Sequence, residues 1–471
     1  MCTHPALWKS LYLEEGWSVA EDIMTDFEER LRRMQARCDS YYKRYRQWFD
    51  EPASTETIIT HHGHPLELDT LYTQFFSSLS KANDFSLKRI RAHFLAIAVI
   101  ELGEPYHRTA TFTQTNTEPP QLHINWRYLY VNRYFLENNW RHGHYQTTEI
   151  ECTPHPSDRV GIYCIHVDGN LLAAACRDTT IRLWNMNDLS YCGTLTSHEA
   201  SVTCLQLNSK RGILVSGSAD CTIKIWNIHS QQVIITLRDH TESVLDIYLS
   251  DKFIMSCSRD TTARIWGTNG ETSETSLDQD TSPQIVVLHT LRGHRAAVNA
   301  IHCNEEYIAT ASGDRTVVIW NIYGAMLWTI SGPTMGLATV KISNGMVITG
   351  GADHTIKIFN IYSGEELHTL RGHTSLVRTI QIRDGKIISG SYDQSIRIWD
   401  MMTGEVLQMF RGHEAKYFLL CVTEFRICRV YVDQKQIISC GTNSRIVIWD
   451  FTKCSQNGGT VDTIFFYRKA L

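Results

Sequence analysis

The sequence predicts a mainly β fold: a seven-bladed β-propeller preceded by an α-helical N-terminal region. Three observations predict it. A motif ending in an aromatic residue recurs seven times between residues 160 and 450. Its period is near 40 residues, the length of a four-stranded propeller blade. Each recurrence alternates as two short antiparallel strands joined by a tight turn at an Asp.

Composition sets the outer bounds. The 471 residues are 43% hydrophobic and 20% charged, ordinary for a globular chain. The net charge of -5 supplies no positive field to hold nucleic acid or an anionic membrane. The 14 Cys include no CxxC pair, so neither a zinc ribbon nor a thioredoxin-type site is expected. The N-terminus lacks a basic start followed by an apolar run, and the most apolar stretch, Phe94–Leu102, is far short of the ~20 residues that span a bilayer. With no Asn-x-Ser/Thr sequon, these features place the chain in the cytoplasm, the nucleus or both.

The N-terminal elements come first. Within residues 22–49, Ile23, Phe27, Leu31, Met34, Cys38, Tyr41, Tyr45 and Trp48 define one helical face. That face is expected to pack on a neighbouring helix, a self-associating coiled coil being the alternative. Residues 51–65 read as a loop; His61, His62 and His64 lack a Cys or carboxylate at ligand spacing, so no metal is expected there. A second helical region is expected over 66–102, a loop over 103–120 ending in Pro119-Pro120, and an aromatic helix over 124–145.

The repeats follow. Their aromatic position falls at Trp184, Trp226, Trp266, Trp320, Phe359, Trp399 and Trp449, in steps of 42, 40, 54, 39, 40 and 50 residues. A His lies 14 residues after the aromatic at His198, His240, His373 and His413, and His294 holds the same place after a longer gap. A hydroxyl precedes the turn Asp by four residues at Ser216, Ser256, Thr310, Thr349 and Ser389. A His/Asp/Ser set recurring this often is architecture, because a catalytic triad occurs once, in a cleft. Two blades depart from the pattern. The fifth has Phe359 for Trp and Gly332-Pro333 where Gly-His is expected, and the seventh has Asn443 for Asp. Both are expected to close by packing alone and to be softer.

Two steps are long. The 54-residue step carries about 14 extra polar residues within TNGETSETSLDQDTSPQ, a solvated loop between the third and fourth strands of its blade. The 50-residue step carries an apolar segment near KYFLLCVTEFRIC, which is costly to expose. Residues 417–426 are read as an unspliced intron or gene-model error, the alternative being a partner-binding protrusion. The ring needs a strand from outside the last repeat to close it. His144–Glu151 and Thr460–Arg468 are the two candidates, and the first is favoured because every repeat would then begin with its outer strand.

These motifs resemble the WD-repeat (WD40) family over about 300 residues. The resemblance implies a buried hydrogen-bonded chain in each complete blade. Those sets are His198–Ser216–Asp220–Trp226, His240–Ser256–Asp260–Trp266, His294–Thr310–Asp314–Trp320 and His373–Ser389–Asp393–Trp399. A second resemblance is carried by LWKSLY, with Leu7, Trp8, Lys9, Leu11 and Tyr12, and by NWRHGHY, with Asn139, Trp140, Arg141, Gly143 and Tyr145. They are similar to the F-box end and the linker end of F-box/WD-repeat proteins, the substrate receptors of SCF-type (Skp–cullin–F-box) ubiquitin ligases. The organisation this implies is an F-box remnant over 1–17, a helical linker over 18–143 and the propeller over 144–471. Most of an F-box would lie before Met1, and a truncated gene model is expected.

The chain is therefore expected to be a non-catalytic adaptor. No GxSxG, GxxxxGK[ST] or HExxH motif occurs, and no catalytic residue, metal or cofactor is assigned. In the resembled family, phosphorylated segments dock beside the turn Asp and the starts of the innermost strands. Phosphate favours Arg, whose planar fork pairs bidentately. Those positions give Arg177, Arg259 and Arg378, with Tyr392 as an aromatic neighbour, as the expected substrate-binding residues. Expected partners are protein substrates, with Skp and cullin if a full F-box precedes the chain, and neither nucleic acid nor membrane. The alternative reading is a WD40 scaffold of another multiprotein complex; a hydrolase using the axial cavity has no supporting motif.

Overall fold

A computed structural model describes residues 5–14, 110–113, 121–124, 126–152, 160–250, 252–268, 285–411 and 426–452, together with Arg32 and Ala36. The predicted helices over 22–49 and 66–102, the triple-His loop, the polar insertion at 269–284, His413, residues 417–425 and the second closing candidate lie outside the described residues. The chain divides into two compact units, with the boundary between Asn138 and Asn139.

In the first unit, helix α1 spans Pro5–Glu14 and buries Tyr12. The expected loop over 103–120 is corrected: Ala110–Thr113 pairs antiparallel with Gln121–Ile124. Four-residue strands of mixed polarity leave too little alternation to be seen in a sequence. Helix α2 spans Trp126–His142, inside the predicted 124–145, and ends at Gly143, whose φ of 68° requires the left-handed region.

The second unit holds seven four-stranded antiparallel sheets. From the axis outward, blade one is built from Ile162–Asp168, Leu171–Cys176, Thr180–Asn185 and Tyr191–Thr196. Blades two to six repeat this order over 202–238, 244–292, 298–331, 337–370 and 377–411. The polar insertion joins the third and fourth strands of blade three, as its position predicted. Blade seven takes three strands from 427–450 and its outer strand from Gln146–Glu151, which pairs with Arg445–Asp450 in unbroken register. The favoured closing segment is the one used, so repeat and blade are offset by one strand and the ring has no frayed seam.

Burial explains the strand sequences. The second strand of each blade lies between two neighbouring blades and is almost wholly buried, as in Leu171–Cys176 and Gln436–Gly441. Its small residues are required there. A Cβ on Gly390 would meet Val430 Cγ2 at 2.7 Å and Thr379 Cγ2 at 2.8 Å. Outer strands alternate exposed and half-buried positions, as a one-sided strand must. Ile427 pairs with Gly441 and is 1% exposed, so it belongs to blade seven and not to the apolar segment before it.

The end of α2 fixes the closing strand. Trp140 stacks on Phe451 at 3.8 Å between centroids, lies under Arg383 at 4.1 Å and donates to Gln434 O at 3.0 Å. Asn139 donates to Phe451 O at 2.8 Å, and Tyr145 packs edge-on against Phe410, Trp449 and Phe451. The NWRHGHY phrase thus docks the chain beside the seam where blade seven closes.

Candidate functional site: the turn-bearing face of the propeller

This face begins with the turn after the second strand. In blade two, Asp220 Oδ1 accepts from the N–H of Thr222 at 2.9 Å and from its hydroxyl at 2.6 Å. The residue between them, Cys221, has φ 67°. The same left-handed position recurs at Thr179, Thr261, Arg315, His354, Gln394 and Ser444, once per blade. The Asx-type turn holds a strained backbone that a non-Gly residue rarely adopts. That is why blades one and five keep the Asp, and blade seven an Asn, where the rest of the network is incomplete.

The second carboxylate oxygen reaches the buried chain. Asp220 Oδ2 lies 2.8 Å from His198 Nδ1, and His198 Nε2 lies 2.8 Å from Ser216 Oγ, which accepts from Trp226 Nε1 at 2.8 Å. The corresponding distances are 2.7, 2.8 and 2.8 Å for His240, Asp260, Ser256 and Trp266. For His294, Asp314, Thr310 and Trp320 they are 2.9, 2.9 and 2.9 Å. For His373, Asp393, Ser389 and Trp399 they are 2.8, 2.7 and 2.8 Å. Burial opposes ionisation of these carboxylates, but the bonds from His and Thr or Ser outweigh it and hold all four Asp below the usual range. A second hydroxyl, missed in the sequence, extends each chain: Ser218, Ser258, Ser312 and Ser391 accept from the Asp N–H at 3.0–3.1 Å. The signal was the S-x-S-x-D or T-x-S-x-D spacing.

Three blades depart, not two. Blade one has Ala174 where the others have a hydroxyl, and Arg182, at the strand position of Lys224 and Arg264, pairs with Asp178 at 2.6 Å and with the Cys152 carbonyl. The expectation that blades five and seven close by packing alone is corrected. In blade five, Thr334 Oγ1 donates to Asp353 at 3.0 Å, standing where the His would act. In blade seven, Trp449 Nε1 still donates to Ser439 at 3.1 Å. A buried indole N–H carries a penalty unless paired, so the bond survives the loss of the Asp.

The four expected substrate-binding residues all lie at this end of the strands, but they do not form one cluster. Arg378, at the start of an innermost strand of blade six, donates to Ala338 O at 3.1 Å and is half-buried. Tyr392 is beside it, and Arg426, at the start of blade seven, lies over the Tyr392 ring at 5.1 Å. Burial raises the Tyr392 hydroxyl and the nearby Arg378 opposes the rise. Arg177 is exposed on blade one, next around the ring from blade seven. Arg259 stands across the ring on blade three, 70% exposed and 3.5 Å from Glu242. Arg426 was missed because it follows the apolar segment and because its repeat position holds Gly161, Ser201, Ser243, Ala297, Gly336 and Leu376 in the other blades, none of them charged. Among the described residues, no group of three or more His, Cys, Asp or Glu is gathered as a metal requires. No helix among them is long and apolar enough to cross a membrane.

Comparison with known proteins agrees with this geometry. The family model "WD domain, G-beta repeat" matches residues 147–185, 189–227, 231–267, 285–321 and 364–400. Each match begins at an outer strand, and the stretches between and after them hold Phe359 and Asn443. The chain is similar to the F-box/WD repeat-containing protein lin-23 of Caenorhabditis elegans, 35% identical over 66 residues, 14% of this chain and 10% of that one. It is also similar to telomerase protein component 1 of Mus musculus, 26% identical over 216 residues, 40% of this chain and 8% of that one. The matched segments therefore span a tenth or less of these relatives. Among solved structures, the WD40 β-propeller domain of Doa1 superposes with a TM-score of 0.54 at 23% identity, covering 65% of this chain and 96% of that domain.

Proposed function

We propose that this WD40-repeat propeller is the substrate-recognition adaptor of an SCF-type ubiquitin ligase, holding target proteins for ubiquitination and proteasomal degradation. A rigid ring that exposes loops and turns on one face offers a protein-binding surface, and its recurring polar sets are consumed in holding the blades. The observation that carries the reading is the Arg378–Tyr392–Arg426 group on that face. It combines guanidinium donors with an aromatic surface at the mouth of the axial channel, which suits a phosphorylated peptide. Arg177 and Arg259 extend positive charge to other blades. The similarity to lin-23 and the LWKSLY and NWRHGHY phrases support the link to ubiquitin transfer.

A scaffold role in another multiprotein complex is the second reading, favoured by the longer match to telomerase protein component 1. Co-precipitation of the full-length gene product with Skp and cullin separates the two. Recovery of both, with targets that accumulate when the gene is deleted, supports the adaptor; a stable complex lacking both supports the scaffold.

A further inference from the structure

The opposite mouth of the axial channel has chemistry of its own. Each innermost strand has a free edge toward the axis, and its N–H groups there lack a strand partner. Side chains near the ends of these strands supply one to the neighbouring blade. His166 Nδ1 accepts from Leu207 N–H at 3.3 Å, Gln206 Oε1 from Leu249 N–H at 2.7 Å, and His302 Nδ1 from Ile342 N–H at 3.2 Å. A neutral imidazole that accepts at Nδ1 carries its proton on Nε2. The two histidines therefore keep an N–H donor, and neither Nε2 has a partner among the described residues.

Lys341 follows His302 around the ring, at the same level of the next blade. Its ammonium makes no hydrogen bond or ion pair among the described residues. One residue layer nearer the turn-bearing face, Arg429 of blade seven reaches Asp246 of blade three at 3.5 Å. Asp246 also acts on Lys341, so Arg429 and Lys341 share that one carboxylate, and a second, Asp168, acts on His166. Burial first, then Arg429, pulls Lys341 down to about 8, and burial holds His166 near 4, so at neutral pH the ammonium and two neutral donors coexist. Two cations that share one carboxylate leave net positive charge in a narrow channel, and that charge attracts an anion.

We infer that this mouth of the channel binds a small tetrahedral oxyanion of the sulfate or phosphate class, with Lys341 Nζ and His302 Nε2–H as donors and His166 and Arg429 on the facing wall. The site is separate from the turn-bearing face and stands whether or not the adaptor reading does.

The test is calorimetric titration with sulfate replacing chloride at fixed ionic strength, near pH 7. Wild type should bind saturably with one site per chain. Lys341→Met should weaken binding about tenfold or more, the worth of one charge-assisted hydrogen bond. Arg259→Ala with Arg378→Ala should bind as wild type. In the wild-type protein, sulfate should also protect Lys341 from reductive methylation read by mass spectrometry, a measurement that survives if the variant fails to fold. Absent saturable binding, equal affinity in Lys341→Met, loss of binding in the double Arg variant, or no protection of Lys341 would each overturn the assignment.

Discussion

Ser256→Ala isolates the buried chain of one blade. Ser256 is 0% exposed, and its hydroxyl is the shared partner of His240 Nε2 and Trp266 Nε1, each at 2.8 Å. Alanine keeps the fold of the strand but leaves two buried polar atoms unpaired. At about 1–3 kcal/mol for each orphaned group, the loss should be about 3 kcal/mol. Ser439→Ala in blade seven is the internal comparison. There Trp449 Nε1 at 3.1 Å is the indole that loses its partner and Asn443 replaces the Asp, so about 1–2 kcal/mol is expected. Urea unfolding followed by Trp fluorescence, with equal slopes checked for both variants, reads the difference. If Ser256→Ala cost under about 0.5 kcal/mol, the level of an ordinary surface substitution, the network would not hold the blade.

Three further outcomes follow from the same geometry. Thr261→Gly should stabilise by about 1 kcal/mol, because Thr261 sits at φ 68° where a β-branched residue is strained, and a lower melting temperature would contradict this. Trp140→Ala should cost about 3–5 kcal/mol through lost stacking on Phe451 and Arg383 and a lost bond to Gln434 O, measured by urea unfolding; a loss below 1 kcal/mol would show that the seam is held elsewhere. Asp220, Asp260, Asp314, Asp353 and Asp393 are all held below their ordinary value of 3.8, so they stabilise the fold above about pH 4 and that contribution is lost as pH falls through their folded values. His240, His166 and His302, all lowered by burial, add a loss below their ordinary 6.5, since the unfolded chain takes up those protons more readily. The melting temperature should begin to decline below about pH 6 as the buried histidines are outcompeted for protons, and fall further below about pH 4 as the carboxylates protonate; a flat profile to pH 3 would refute the assignment.

The ring was legible because its determinants repeat. Seven aromatic endings, with an Asp turn in six and Asn443 in the seventh, specify the blades, and the offset between repeat and blade follows from the outer strand that begins each repeat. What could not be read is what substitutes when the repeat fails. Arg182 holds Asp178 from within its own strand, and Thr334 bonds Asp353 from the position after Gly332-Pro333. Both depend on spatial proximity to an Asp, not on spacing. The candidate binding face was half legible. Arg378 and Tyr392 sit at positions the phosphate argument singles out, whereas Arg426 takes a repeat position that is uncharged in the other six blades. The channel residues escaped because the fifth residue of the innermost strands varies from blade to blade, as His166, Gln206, His302 and Lys341 show.

The most direct test of the proposed role is substrate capture by the double variant Arg259→Ala and Arg378→Ala. Arg259 is largely exposed, and Arg378 holds one backbone carbonyl, so the melting temperature should stay near that of wild type. Pull-down from a lysate, quantified against the wild-type chain, should show the bound proteins reduced several-fold, and phosphatase treatment of the lysate should reduce wild-type capture in the same way. Unchanged capture by a folded double variant would contradict the account, because the cationic and aromatic group on the turn-bearing face would then not be where targets dock.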